Sequence, residues 1–248
     1  MSLDKVTFEK SDYESPQLES LANEIASFLY HASPYILDRF VDFMRTSSGI
    51  TFDNYKGFIQ KWFAPLIKGG KKAPPDIKRL KELCYYFFDI CSTDDEIRKM
   101  RGLVPEKLFE IIFEKRNEGK DCNIGYGAKV LVNNKTVIYK PSTPFETKED
   151  SDQRRQTVDA GSWDGQEGEF AEVKLQPNAF HTKDIRYLRL LAKKLDDSNI
   201  CYCVFLITLN DKGLIWHRLN RLGLFSGEDS TEFLLIGKDE LFQLETIA

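Results

Sequence analysis

The spacing of apolar residues changes near residue 101, and this change constrains the fold more than any other feature of the sequence. Before it, stretches such as "SPQLESLANEIASFLYHA" repeat apolar residues every three or four positions, which predicts amphipathic helices. After it, short apolar runs bounded by turn-forming residues predict strands. The sequence therefore predicts two domains: a helical N-terminal domain, residues 1–100, and a domain that mixes strands and helices, residues 101–248.

Proline residues set the predicted helix boundaries, because proline suits the first turn of a helix but interrupts its interior. A helix that starts near Asp53 is therefore expected to end before Pro65. A separate helix, "PEKLFEIIFEKRNEG", is expected to begin near Pro105 and to end at Gly119. It would be the first element of the second domain.

The second domain has the predicted order helix, strand, strand, strand, helix, strand. The run "YCVFLITL" is continuously apolar, which is typical of a fully buried strand. The amphipathic helix before it, "TKDIRYLRLLAKKLDDS", predicts a right-handed crossover that makes this strand parallel to an earlier one. "EFLLIG" and "KDELFQLE" add a last strand and a short helix. This order predicts an α/β (α+β) domain behind an all-α domain.

The overall charge of the chain is slightly negative, at −4 over 248 residues. Binding of nucleic acid therefore requires a local basic patch. The segment "KGGKKAPPDIKRLK" offers one, in which Lys71, Lys72, Lys78 and Arg79 are candidates for contacts with phosphate. The alternative is that these residues form a solvated loop and the start of a helix.

Cysteine usage and hydropathy bear on the cellular compartment. Five cysteines without a CxxC pair argue against a disulfide framework and against a structural zinc site. No apolar run reaches the ~18 residues of a membrane-spanning helix. The N-terminal stretch "MSLDKVTFEK" lacks the apolar segment of a signal peptide. We therefore expect a cytoplasmic protein with reduced thiols and no membrane partner.

The stretch "QTVDAGSWDGQEGEFAEVKLQP" predicts a β-hairpin that carries charged residues among its apolar ones. If Gly165 and Gly168 close a two-residue loop, Asp159 lies opposite Lys174. Glu172 shares the face of Lys174, because side chains alternate along a strand. The predicted hairpin therefore gathers two carboxylates and an amine on one face of a sheet.

Such a grouping suits the chemistry of phosphate. Neighbouring carboxylates raise each other's pKa unless a cation lies between them, and oxygen ligands suit Mg²⁺. A lysine beside the metal can polarise the attacking water and stabilise charge on a phosphate. Gly161 and Gly165 would leave room for a backbone segment or a ligand to come close. The plain alternative is a cross-strand ion pair between Asp159 and Lys174, worth roughly a few tenths of a kcal/mol.

The Asp of "TVDAG" and the "EVK" of "EFAEVKLQP" make residues 101–210 resemble the PD-(D/E)xK nuclease superfamily, which is restriction-endonuclease-like in fold. The resemblance implies a mixed sheet flanked by helices and hydrolysis of nucleic-acid phosphodiesters with Mg²⁺ or Mn²⁺. By position it makes Asp159 and Glu172 metal ligands and Lys174 the catalytic lysine. It also implies a further glutamate from the first helix, for which Glu106 is the candidate.

Three residues near this motif leave alternatives. Val158 stands where the superfamily pattern has proline. Asp164, in "WDGQ", is the alternative to Asp159, although aspartate before glycine is ordinary turn chemistry. Gln176 shares the face of Glu172 and could contact metal-bound water or phosphate, or serve as a polar group at the strand end.

The sequence thus predicts a metal-dependent endonuclease that hydrolyses DNA, with RNA as the other substrate class, in restriction, defence or repair. The cellular role follows from the resemblance in fold alone. A non-catalytic module that binds nucleic acid or protein on the same fold is the alternative. A regulatory helical protein with an incidental hairpin is a third reading. A homodimer or a partner subunit could complete the assembly.

Overall fold

A computed structural model of the protein describes residues 5–11, 14–68, 75–141, 154–225 and 232–245. The chain divides into two compact units. The sheet unit comprises Met1–Tyr13 and Ile112–Ala248, and the helical unit comprises Glu14–Ile111. The division therefore falls after Ile111 rather than at residue 100, and the first residues of the chain belong to the sheet unit.

Five helices build the described part of the helical unit, the last of which continues into the sheet unit. Their bounds are α1 Pro16–His31, α2 Pro34–Thr46, α3 Tyr55–Lys68, α4 Pro75–Ile90 and α5 Asp94–Arg116, with a 3-10 turn at Ser47–Gly49. Aromatic rings fill the core of this unit. The ring of Phe43 lies 5.3 Å from that of Trp62 and 5.5 Å from that of Phe63, between centroids.

Two prolines lie inside helices, so two predicted boundaries were wrong. Helix α3 continues through Pro65, and α5 runs unbroken through Pro105, which was expected to begin a helix. An interior proline removes one backbone hydrogen bond and costs about 3 kcal/mol. Burial of Val104 and Leu108 around Pro105 offsets this cost, because both side chains are almost fully removed from water.

Seven strands form one mixed sheet in the described residues of the sheet unit, in the order β1-β2-β4-β5-β6-β7, with β3 paired to β2. Their bounds are β1 Val6–Lys10, β2 Asn123–Val132, β3 Lys135–Thr136, β4 Thr157–Trp163, β5 Glu167–Lys174, β6 Cys201–Thr208 and β7 Leu234–Ile236. The pairs from β1 to β5 are antiparallel, whereas β6 is parallel to β5 and β7 is parallel to β6. The predicted parallel strand is therefore confirmed.

The N-terminal strand β1 corrects the prediction that residues 1–100 are helical. It pairs antiparallel with β2, so that Val6 lies opposite Val132 and Phe8 lies opposite Val130. Val6 is fully buried. A five-residue strand alternating apolar and polar residues gives a weak signal by itself, and its partner lies more than a hundred residues away in the sequence.

Helices α6, Thr182–Asp196, and α7, Gly213–Arg221, pack on the sheet. The predicted apolar stripe of α6 is confirmed, since it is buried at Ile185, Leu188, Leu191 and Leu195. Helix α8, Lys238–Leu241, follows β7 as predicted, and 3-10 turns lie at Pro177–Ala179 and Phe242–Glu245. The protein thus belongs to the α+β class, with a mixed sheet flanked by helices. In the described ranges, no helix is both long enough and apolar enough to cross a membrane.

Candidate active site

The β4–β5 hairpin has a different register from the predicted one. Ala160 pairs with Ala171, and Trp163 pairs with Gly168. The loop is Gly165–Gln166, because the amide of Asp164 donates a hydrogen bond to the carbonyl of Glu167. Gly165 has φ +91°, which suits the first central residue of a type II′ turn.

The predicted pairing of Asp159 with Lys174 was wrong by two residues. A shift of two keeps every side chain on its face, since the alternation along a strand has a period of two. The predicted grouping of Asp159, Glu172 and Lys174 therefore survives the error. The predicted room at Gly161 does not, because a Cβ there would lie 2.5 Å from the Phe8 ring.

Asp164 is a turn residue. Its Oδ1 accepts hydrogen bonds from the backbone amides of Gln166 and Glu167, at 2.8 and 2.7 Å. These amides hold the pKa of Asp164 below its usual value. The alternative that placed this carboxylate in the site is thus not supported by its contacts.

Asp159 lies where the backbone ladder between β4 and β5 stops. Beyond the pair of Ala160 and Ala171, its Oδ2 accepts a hydrogen bond from the amide of Val173 at 2.7 Å. The same oxygen lies 3.2 Å from Lys174 Nζ. The Asp159 side chain therefore takes the place of a backbone acceptor between the two strands, and the amide of Val173 holds its carboxylate in position.

Glu172 is fully buried on β5. Burial raises its pKa to about 7, and the negative charge of Asp159 adds to the shift, whereas Arg155 and Lys174 oppose it. Lys174 Nζ contacts Glu172 Oε1. Lys174 therefore contacts both carboxylates of the predicted motif at the end of β5.

Arg155 is a member of the cluster that sequence reasoning missed. Its Nη2 lies 2.7 and 2.6 Å from the two carboxylate oxygens of Glu172 and 3.4 Å from Asp159 Oδ1. Its Nη1 lies 2.9 Å from Asp184 Oδ1. The guanidinium is thus held between three carboxylates. The polar sequence that precedes it has no periodic pattern of apolar residues from which this position could be predicted.

Asp184 is the third carboxylate, and it too was missed. It lies in the first turn of α6, where its Oδ2 accepts a hydrogen bond from the amide of His181 at 2.9 Å. This contact is one half of a capping box, in which His181 and Asp184 take the places usually held by Ser or Thr and by Glu or Gln. The helix terminus therefore fixes Asp184 independently of Arg155.

Tyr187, one turn further along α6, is fully buried near the cluster. Burial raises the pKa of its hydroxyl, while the positive charge of Arg155 opposes this shift. Within the described ranges the hydroxyl has no hydrogen-bond partner. A buried polar atom of this kind marks a place where a ligand or an ordered water can bind.

The cluster has two positive groups, on Arg155 and Lys174, against three carboxylates. One net negative charge therefore remains when every carboxylate is ionised, and this favours a cation. In the described part of the chain, no three His, Cys, Asp or Glu side chains converge as ligands of one metal ion. Two carboxylates do converge, since Asp159 and Glu172 both contact Arg155 Nη2 and Lys174 Nζ.

The donors of this cluster fit a hard divalent cation such as Mg²⁺ or Mn²⁺, for two reasons. The ligands are carboxylate oxygens, which these ions prefer. The unpartnered hydroxyl of Tyr187 shows that the buried polar groups are not yet fully satisfied. A cation could bind both carboxylates only if the guanidinium of Arg155 moved away from them.

The remaining predicted residues lie elsewhere. Gln176 follows β5, and its buried Nε2 has no hydrogen-bond partner among the described residues. Glu106 is half-buried on α5, in the helical unit, so its assignment as a metal ligand stays a prediction.

Of the predicted basic patch, Lys78 is exposed on α4. Arg79 forms ion pairs with Glu24 and Glu82. Lys71 and Lys72 lie outside the described residues.

Comparison with known proteins identifies no family for this chain. No protein-family model matches the chain, and no curated protein matches it. The chain is similar to protein VC1899 from Vibrio cholerae, a solved structure, at 14% sequence identity with a TM-score of 0.47. The match covers 98% of this chain but 57% of VC1899, so the chain spans little more than half the length of that protein.

Proposed function

We propose that the protein is a Mg²⁺- or Mn²⁺-dependent nuclease that hydrolyses phosphodiester bonds of DNA. The observation that carries this proposal is the contact of Lys174 Nζ with two carboxylates, from Asp159 and Glu172, at one end of a buried hairpin. Free thiols on the five cysteines support a cytoplasmic location.

Asp159 and Glu172 are the residues that would hold the cation. The amide of Val173 orients Asp159, and complete burial restricts Glu172 to one position, so both ligands are preorganised. The bound cation would supply Lewis-acid polarisation of the scissile phosphate and its attacking water.

Lys174 acts as a fixed positive charge. Burial alone would lower the pKa of its ammonium, but Asp159 and Glu172 raise it above the ordinary value. Lys174 therefore carries its proton in the metal-free cluster. A protonated Lys174 would orient the attacking water and stabilise the charge that develops on the phosphate.

A non-catalytic module that binds nucleic acid or protein is the second candidate. The observation in its favour is the ion pairing of Arg155 with Asp159, Glu172 and Asp184, because these contacts neutralise the carboxylates without a metal. A closed ion-pair network of this kind can serve structure alone.

The decisive experiment compares two Asp→Asn variants within one hairpin. Plasmid DNA, single-stranded DNA and RNA are incubated with Mg²⁺ or Mn²⁺ and with the wild-type protein, Lys174→Ala, Asp159→Asn or Asp164→Asn. We expect cleavage to fall by roughly 10²-fold or more in Lys174→Ala and Asp159→Asn. The turn variant Asp164→Asn is expected to cut normally.

Circular dichroism must show that each variant is folded. Nicking of plasmid by the wild-type protein would indicate endonuclease action, and the relative rates on the three substrates would rank DNA against RNA. Binding without metal-dependent cutting in every preparation would favour the non-catalytic module instead. Absence of both cutting and binding would contradict the nuclease and a module that binds nucleic acid, and would leave a module that binds protein.

A further inference from the structure

We propose that Arg155 is an internal competitor of the divalent cation: its guanidinium occupies the cation position between Asp159 and Glu172 and must be displaced before a metal binds. This inference rests on the proposed function, since it concerns the same pair of carboxylates. It adds a residue outside the sequence motif that sets how readily the site is loaded.

The contacts of the individual carboxylate oxygens carry the argument. Glu172 Oε1 has two positive partners, Arg155 and Lys174, and Asp159 Oδ2 is held by Lys174 and by the amide of Val173. Glu172 Oε2 and Asp159 Oδ1 contact Arg155 Nη2, and within the described residues they have no other donor. Withdrawal of one guanidinium therefore frees one oxygen on each carboxylate.

Those two oxygens are suited to a shared cation. Both now contact a single nitrogen atom, Arg155 Nη2, at 2.6 and 3.4 Å, so both already point at one positive centre. A divalent ion at that centre would carry twice the charge of the guanidinium and would prefer oxygen ligands at distances of roughly 2.1 Å. Arg155 and the metal cannot occupy the place together.

The displaced guanidinium would keep a carboxylate partner, Asp184. Asp184 contacts the other terminal nitrogen, Arg155 Nη1, and the amide of His181 holds Asp184 in position without help from Arg155. The hydroxyl of Tyr187, buried and unpartnered in the described part of the structure, offers a further acceptor. Arg155 can thus leave the shared oxygens while staying paired.

The test is Mn²⁺ binding by metal-free protein, measured by calorimetry and by electron paramagnetic resonance, with three proteins. These are the wild type, Arg155→Gln/Asp184→Asn and Lys174→Gln/Asp184→Asn. Each double variant removes one positive group and one carboxylate, so both keep the net charge of the wild-type cluster. The side-chain carbonyl that Asp184→Asn leaves in place can still accept the hydrogen bond from the amide of His181.

We expect Arg155→Gln/Asp184→Asn to bind Mn²⁺ at least tenfold more tightly than both other proteins. Because the two double variants are matched in charge, a gain confined to the Arg155 variant would reflect a vacated position rather than weaker through-space repulsion. Circular dichroism of the metal-free proteins confirms folding before titration.

Two other outcomes would overturn the inference, and they are distinguishable. Equal Mn²⁺ affinity in the wild type and in Arg155→Gln/Asp184→Asn would show that Arg155 does not compete for the position, while metal binding itself would leave the proposed function standing. Absence of Mn²⁺ binding in all three proteins would overturn the proposed function together with the inference.

Discussion

Asp159 and Asp164 lie five residues apart in one hairpin, and their surroundings give them different roles. Asp159 accepts a hydrogen bond from the amide of Val173 and also contacts Lys174. Asp164 accepts hydrogen bonds from two amides of its own turn. At the scale of single residues, the donors around each carboxylate therefore separate a candidate catalytic residue from a structural one.

Replacement of Asp164 by alanine is expected to destabilise the protein by about 1 kcal/mol, because two turn amides lose their acceptor. Asp164→Asn should lose less, since the amide oxygen can still accept. The depressed pKa of Asp164 adds stability that is fully present above its unfolded pKa of 3.8 and is lost as pH falls further. Urea unfolding at pH 7 would check the effect of Asp164→Ala, and an unchanged midpoint would contradict it. Urea unfolding at pH 3 would check the loss of the contribution of Asp164 at low pH.

The members of the site differ in how well the sequence reveals them. Glu172 and Lys174 stand two residues apart on a strand, so their common face follows from the alternation of side chains alone. Arg155 gives no such signal, because it follows a polar stretch of sequence and reaches the cluster through the tertiary fold. Asp184 could have been identified as a capping residue, but its contact with Arg155 depends on how α6 packs on the sheet.

Strand β1 contributes an aromatic side chain to the packing of the sheet. Phe8, at its centre, lies over β4, where a Cβ on Gly161 would be 2.5 Å from the Phe8 ring and 3.3 Å from the Phe170 ring. The space that the sequence suggested for a ligand is thus filled by an aromatic side chain. Glycine at this position of β4 lets the ring of Phe8 lie over the hairpin that carries Asp159.

The substitution Gly161→Ala is expected to destabilise the protein by about 1–3 kcal/mol through overpacking against Phe8. The double variant Phe8→Ala/Gly161→Ala should be more stable than the sum of the single effects predicts, because removal of the ring makes room for the new methyl group. A thermodynamic cycle from denaturant unfolding measures this coupling, expected at about 0.5–3 kcal/mol. Strictly additive effects would show that Phe8 does not set the need for glycine.

Elements with strong local signals were predictable, and elements defined by distant partners were not. The amphipathic stripe of α6 and the apolar run of β6 follow from hydrophobic periodicity. β1 depends on pairing with β2, and the continuation of α5 through Pro105 depends on burial that outweighs the lost hydrogen bond. The predicted hairpin register was wrong because it placed the two-residue loop between Gly165 and Gly168. In the structure the loop is Gly165–Gln166, and the Asp164 side chain accepts a hydrogen bond from the amide of Glu167 that follows it.

The charge distribution of the protein limits where DNA could bind. With a net charge of −4, the protein can bind DNA only where positive side chains gather. The sheet unit contains an open cavity of about 830 Å³ whose lining includes Lys135, Lys140 and Lys194. Tyr139, which also lines it, is paired through its backbone with Arg155, so the cavity borders the chain segment that enters the candidate site.

If the protein binds DNA as proposed, this cavity and the part of the predicted patch that lies on α4 are two candidate surfaces, and salt dependence separates them. In Lys135→Gln/Lys140→Gln, loss of two phosphate contacts is expected to reduce the slope of log affinity against log salt by about 2. Lys78→Gln serves as the matched control on α4, where the neighbouring Arg79 is already paired with Glu24. Binding is measured by fluorescence anisotropy with a DNA duplex and with EDTA present, so that no strand is cut. A reduced slope in Lys78→Gln, with no change in the double variant, would place the DNA on the helical unit instead.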